Sequence, residues 1–301
     1  MSGGGHLLHV GYPKTGSKFL QRWFAAHPAL SFSHWGIGGF GDAHHLMTEA
    51  ADPSHPAWHV TSHEALLTPL DDYRDLGARG LSLPVRSRQL AACRSLARLF
   101  AGSRILIVTR GYEALVRSFY MELVLGGADY SFAAFCDALL AQVKAGEDVF
   151  DFVSAVDAYA AQFGKGAPLV LPYELLRDRP SDFLGAIEAA LGVAPFRFAP
   201  DRVRESPQPA RIATYRRMTR WVRAMPGTAA LRQGASRRYI AALRTGRLAG
   251  AAAFIERLGG GGGAAGADLI VPPELLEALG VRGERLRSDP LYRDYAREYR
   301  L

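Results

Sequence analysis

Lysine is scarce in this chain of 301 residues: four stand against thirty-two arginines. Two of the four, Lys14 and Lys18, share one loop with Pro13, Thr15, Gly16 and Ser17, in the order Gly11-Tyr12-Pro13-Lys14-Thr15-Gly16-Ser17-Lys18. A glycine-bearing turn between a strand and a helix aims several backbone N–H groups at one spot, where the helix dipole also favours negative charge. The chemistry on offer is phosphate binding. Gly11 and Gly16 have the separation of the nucleotide P-loop G-x-x-x-x-G-K-[ST], but Ser17 precedes Lys18, so the amine and the magnesium-holding hydroxyl have exchanged places. A P-loop kinase also needs an acid at the end of a buried strand, and here the apolar run Ile105 to Thr109 ends in Arg110. A cation there suits a second phosphate in place of a metal.

The elements that position these residues alternate in type. Short apolar runs at 6–10, 58–61, 104–109 and 169–171 read as buried strands, and each is followed by a turn and then helical periodicity. Helices are expected from Ser17 to about His27, over 88–100, from Tyr112 to Leu125, over 131–143 and 148–163, and from Ser181 to Leu191. Gly126-Gly127 stops the third of these. Residues 31–56 mix Gly, His and Asp without period and read as a loop. This alternation predicts an α/β fold: a parallel sheet with helices on both faces, three layers in all, and a phosphate-binding turn resembling a P-loop. Residues 1–301 read as one domain, with the α/β core at 6–200. An Arg-rich helical segment follows at 201–258, with Ile212, Tyr215, Thr219 and Val222 as its apolar stripe. A Gly/Ala loop at 259–267 and a C-terminal helical portion at 268–301 complete it.

Composition narrows the function classes. With 49% hydrophobic and 22% charged residues the chain suits a globular core, and no apolar run reaches the roughly 18 residues of a membrane span. The N-terminus shows no secretory pattern, so a cytoplasmic location is expected. Cys93 and Cys136 lack CxxC or Cys/His spacing and read as core residues, and no metal site is expected. His34, His44, His45, His55 and His59 are irregularly spaced and read as loop or surface residues. The formal charge of +7 is concentrated: residues 201–258 hold thirteen arginines, no lysine and three acids. That segment is either a solvated helical face or a surface for an anion.

At Tyr12-Pro13-Lys14-Thr15-Gly16-Ser17 the sequence resembles the sulfotransferases that use 3'-phosphoadenosine 5'-phosphosulfate (PAPS), whose first loop has the form Y-P-K-[ST]-G-[ST]-[ST]. Their second motif, a strand ending in Arg with Ser eight residues later, is matched by Arg110 and Ser118. Leu171-Pro172-Tyr173-Glu174-Leu175-Leu176 and Leu191-Gly192-Val193 are similar to two further segments. The resemblance covers about residues 6–225. It implies that Lys14 meets the 5'-phosphosulfate and the charge on the departing oxygen, and that Thr15, Gly16 and Ser17 bind the 5'-phosphate. Arg110 and Ser118 would hold the 3'-phosphate, and Tyr173 would approach the adenine. The product would be adenosine 3',5'-bisphosphate, and no metal is implied. Lys18 replaces a family hydroxyl, either contacting the donor or facing solvent. Gly111 stands where a proline is usual, and the R-K-G segment of the cytosolic branch is missing, which points to a bacterial-type member. Arg211, behind Ser206-Pro207-Gln208-Pro209, is the first choice to substitute for it.

Sulfuryl transfer to an alcohol needs a base at the acceptor hydroxyl. The segment Thr61-Ser62-His63-Glu64-Ala65-Leu66 resembles the family's T-H-L-P, so His63 is the favoured base and Glu64 the alternative. The expected acceptor is a small molecule or glycan, a carbohydrate or glycolipid hydroxyl foremost with an amine as the alternative, and no nucleic-acid partner is expected. Oligomeric state is not legible. Two other classes compete: a nucleotide or small-molecule kinase, which would turn over ATP with magnesium, and a non-catalytic polyanion binder using the basic segment.

Overall fold

A computed structural model describes residues 5–32, 58–68, 85–198, 211–258 and 269–301. Five parallel strands form one sheet in the order β2-β3-β1-β4-β5: β1 Gly5–Gly11, β2 Leu30–Phe32, β3 Trp58–Ser62, β4 Arg104–Thr109 and β5 Pro168–Pro172. Parallel strands are buried on both faces, and β1 and β4 are accordingly buried at every position after their first. Helix α1 (Ser17–Ala26) covers one face, its Phe24 against His9, and α2 (Val85–Leu99) covers the other, where Phe100 meets His6. His6 and His9 lie three positions apart on one strand and so point to opposite faces. The three-layer α/β architecture is as expected.

The next elements are α3 (Tyr112–Leu125), α4 (Phe132–Ala145), α5 (Phe152–Phe163), α6 (Tyr173–Asp178) and α7 (Pro180–Leu191). Beyond residue 210 come α8 (Ile212–Arg223), α9 (Ala229–Arg244) and α10 (Ala249–Leu258), then α11 (Pro273–Gly283), a 3-10 turn and α12 (Pro290–Arg293). β4 and α3 have the expected bounds. Others differ for local reasons. Ser31 and Phe32, expected in a loop, pair with β3 as a three-residue strand. α5 starts at Phe152, not 148, because the Asp151 carboxylate caps it by accepting from the Ser154 N–H at 2.9 Å. His59 is buried on β3, whereas the other four histidines of its group lie outside the described residues. Both cysteines are buried and free, and burial pushes the thiols up, Cys93 to about 11 and Cys136 to about 12. The expected 259–267 loop lies outside the described residues.

Strand register decides what meets at one edge of the sheet. His9 pairs with Ser62, Gly11 with Ile107 and Thr109 with Pro172, so β1, β3, β4 and β5 all end together. The chain leaves β1 toward β2 and β3, and leaves β4 toward β5, so the connections diverge between β1 and β4. A crevice at the carboxyl ends of strands, at such a reversal of order, is the ordinary ligand position in open α/β sheets.

Candidate active site

The four segments singled out above follow those four strand ends: 12–18 after β1, His63 and Glu64 after β3, Arg110 after β4 and Tyr173 after β5. The first continues the sheet before it turns, the Tyr12 N–H donating to the Val108 carbonyl at 2.9 Å. Lys14 then takes φ 68°, a left-handed backbone uncommon for a side-chain-bearing residue and characteristic of functional turns. Gly16, at φ 87°, is required for space as well as conformation: a Cβ there would come within 2.7 Å of Leu176 and 3.4 Å of the Tyr173 ring. The Gly16 carbonyl receives the Phe19 and Leu20 N–H groups and opens α1. Thr15 turns inward, its hydroxyl donating to the Tyr12 carbonyl. Pro13 is buried and Lys18 exposed.

Arg110 joins the two motifs. Its Nη1 donates to the Lys14 carbonyl at 2.8 Å and to Ser118 Oγ at 3.3 Å, and its guanidinium lies 4.8 Å from the centre of the Tyr173 ring. Tyr173 therefore sits between the glycine of the loop and the arginine. Two buried polar atoms here lack partners among the described residues, Ser17 Oγ and Arg110 Nε. Buried donors without partners are costly and rare in folded proteins, and both are donors that an anion would satisfy.

A buried relay supports Arg110 from behind. Glu174 Oε1 accepts from the Gly111 N–H at 3.0 Å, and Oε2 accepts from the Tyr299 hydroxyl at 2.9 Å. Tyr299 has one proton and gives it to Glu174, so Thr109 donates to Tyr299 (2.9 Å) and in turn accepts from Tyr292 (2.7 Å). Burial raises the Glu174 carboxyl above its ordinary range, while the two bonds it receives oppose that shift. The Tyr112 N–H is bound by the Glu298 carbonyl, 3.2 Å away.

Sequence reasoning missed this support and one more residue. Glu122, half-buried on α3 one turn beyond Ser118, places Oε2 3.5 Å from Lys14 Nζ. The i, i+4 spacing from Ser118 was the available signal, since it puts both on one helix face. His63 is exposed and its main chain is fixed to β1, its N–H bonding the His9 carbonyl at 2.9 Å, while Glu64 opens a 3-10 turn. Arg211 precedes α8 and makes no hydrogen bond or ion pair among the described residues. Its neighbours Arg216 and Arg223 are committed elsewhere: they bind the Asp129 and Gly127 carbonyls beyond the far end of α3, and Arg223 also pairs with the Asp129 carboxylate.

Arranged this way, the strand ends bring together two adjacent sets of donors, the 13–17 turn with Lys14 and the Arg110–Ser118 pair, and a carboxylate beside the lysine. No family model matches the chain. No curated protein matches it either. Among solved structures it is similar to a sulfotransferase from Alicyclobacillus acidocaldarius, at 17% identity and a TM-score of 0.46, over 80% of this chain and 94% of that one.

Proposed function

We propose that this chain transfers the sulfuryl group of PAPS to an acceptor hydroxyl, a carbohydrate or glycolipid alcohol being the favoured class. The observation that carries the reading is Arg110. A guanidinium that touches the phosphate turn, holds Ser118 and keeps a buried N–H unpartnered is suited to a second phosphate beside the first. A donor phosphorylated at both ends of its ribose supplies both anions, which ATP does not.

In this reading the backbone of Thr15, Gly16 and Ser17, with the Ser17 hydroxyl, holds the 5'-phosphate, and Arg110 with Ser118 holds the 3'-phosphate. The acceptor oxygen forms its bond to sulfur as the bond from sulfur to the bridging oxygen breaks, and the electron pair stays on the 5'-phosphate of the bisphosphate product. Lys14 meets that growing charge, where a fixed cation acts most strongly. The acceptor proton passes to a base. His63 and Glu64 remain the candidates of the strand end, and Glu122, beside Lys14, stands as a third.

Calorimetry tests the donor assignment without an acceptor. Adenosine 3',5'-bisphosphate is expected to bind more tightly than AMP, and Arg110→Ala to lower that preference by about tenfold to a hundredfold, the worth of charge-assisted hydrogen bonds. Equal affinities in the native protein would remove PAPS from consideration. ATP turnover with magnesium would replace it with a kinase.

A further inference from the structure

In the arginine-rich arm, Arg216 and Arg223 bind the Asp129 and Gly127 carbonyls, while other arginines of the arm face outward. α8 buries Ile212, Thr214, Tyr215 and Thr219, and the Tyr239 hydroxyl of α9 closes on it by donating to the Tyr215 carbonyl at 2.9 Å. The opposite side carries Arg217, Arg220 and Trp221. Trp221 is 59% exposed, and the corner into α9 adds Met225 at 50% and Leu231 at 68%. Single exposed apolar residues are common, but three large ones within the eleven residues 221–231 set this corner apart.

Charge identifies that partner. Residues 211–258 contain eleven arginines and one acid, Glu256. Arg217, Arg220, Arg232, Arg237 and Arg238 are exposed and make no ion pair among the described residues. A cationic surface carrying Trp, Met and Leu at its tip combines the two attractions of an interfacial segment: cations for anionic headgroups, and apolar side chains that enter the boundary with the acyl chains. A polyanion such as nucleic acid would use the arginines and leave the apolar tip in water. No helix among the described residues is long and apolar enough to cross a membrane.

We propose that the α8–α9 corner docks the protein on anionic phospholipid membranes, with Trp221, Met225 and Leu231 inserted and the flanking arginines on the headgroups. This does not depend on the sulfuryl-transfer reading. The arm packs on α3, the helix bearing Ser118 and Glu122, so docking would set the crevice at a fixed attitude to the bilayer.

The experiment is sedimentation of the full chain with vesicles of phosphatidylcholine alone or with phosphatidylserine at 0.15 M salt. Binding is expected only to the anionic vesicles, with Trp221 fluorescence quenched by brominated acyl chains. Arg217→Glu should weaken partition by about fivefold or more, as expected for one interfacial charge. Trp221→Ala with Leu231→Ala should weaken it at unchanged melting temperature, because both side chains are exposed. Absence of binding would overturn the proposal. So would equal partition of the Trp221/Leu231 variant, unquenched Trp221, preference for a nucleic acid or sulfated polysaccharide over vesicles, or a dimer closed through the corner.

Discussion

Lys14 combines a left-handed backbone, a side chain paired with Glu122 and a carbonyl held by Arg110, so three separate structural constraints meet at one position. Lys14→Ala should lower sulfuryl-transfer turnover by about 10²–10³, the usual cost of removing one group that stabilises transition-state charge, with a smaller loss in bisphosphate affinity. A turnover loss matched by an equal affinity loss would reassign the lysine to ground-state binding. The base is resolved by comparing His63→Ala, Glu64→Gln and Glu122→Gln, each assayed across pH for transfer to an alcohol. The true base should show the largest fall in kcat at unchanged bisphosphate affinity, and the disappearance of one limb of the pH profile. The segments that gather at this edge of the sheet were legible because they sit at strand ends in short motifs. Glu122 was readable only through its i, i+4 spacing from Ser118, which puts it on the same helix face but does not say that it reaches Lys14.

At the scale of elements, the strand-and-helix alternation transferred well because β4 and α3 are long, buried and bounded by Arg110 and Gly126. β2 was lost: three residues are too few for any period to register. α6 was lost for a related reason, since its six residues follow β5 directly and look like the lead-in to α7. The relay behind Arg110 was illegible in principle, since Tyr292 and Tyr299 carry no local pattern that predicts a bond to Thr109. Its worth can be measured. Tyr299→Phe removes a donor from buried Glu174 and an acceptor from Thr109, and should lower unfolding free energy by about 1–3 kcal/mol in denaturant titrations. It should also narrow the preference for the bisphosphate over AMP, because Arg110 lies between Thr109 and Gly111. Gly111→Ala should do the same more severely: its Cβ would lie 2.8 Å from Glu298 Cβ and 2.9 Å from the Glu298 carbonyl oxygen. A preserved ligand preference in both would confine the relay to stability alone.

For the molecule as a whole, two buried groups oppose one another in acid. Burial lowers His9 to about 4, so the unfolded chain takes up its proton first and stability falls as pH drops from 6.5. Burial, with Asp151 adding to it, raises Asp148 to about 6, so the folded chain holds that proton more tightly and stability rises over nearly the same interval. Thermal scans between pH 4 and 7 should therefore show Asp148→Asn with a steeper acid loss than the parent, and His9→Gln with a shallower one. Parallel curves for all three proteins would mean that neither group titrates as its burial implies. The relay behind Arg110 also has a bearing on synthesis. Thr109 and Tyr299 are 190 positions apart, and Glu174 precedes Tyr299 by 125. On the ribosome Thr109 and Arg110 emerge early, but Tyr292 and Tyr299, whose hydroxyls bond Thr109, arrive 183 and 190 codons after Thr109. A nascent chain halted between residues 174 and 298 has the 12–18 turn, Arg110, Ser118, Tyr173 and Glu174 but not the Tyr299 hydroxyl that Glu174 and Thr109 bind. The last contacts of the relay thus form only when the chain is nearly complete.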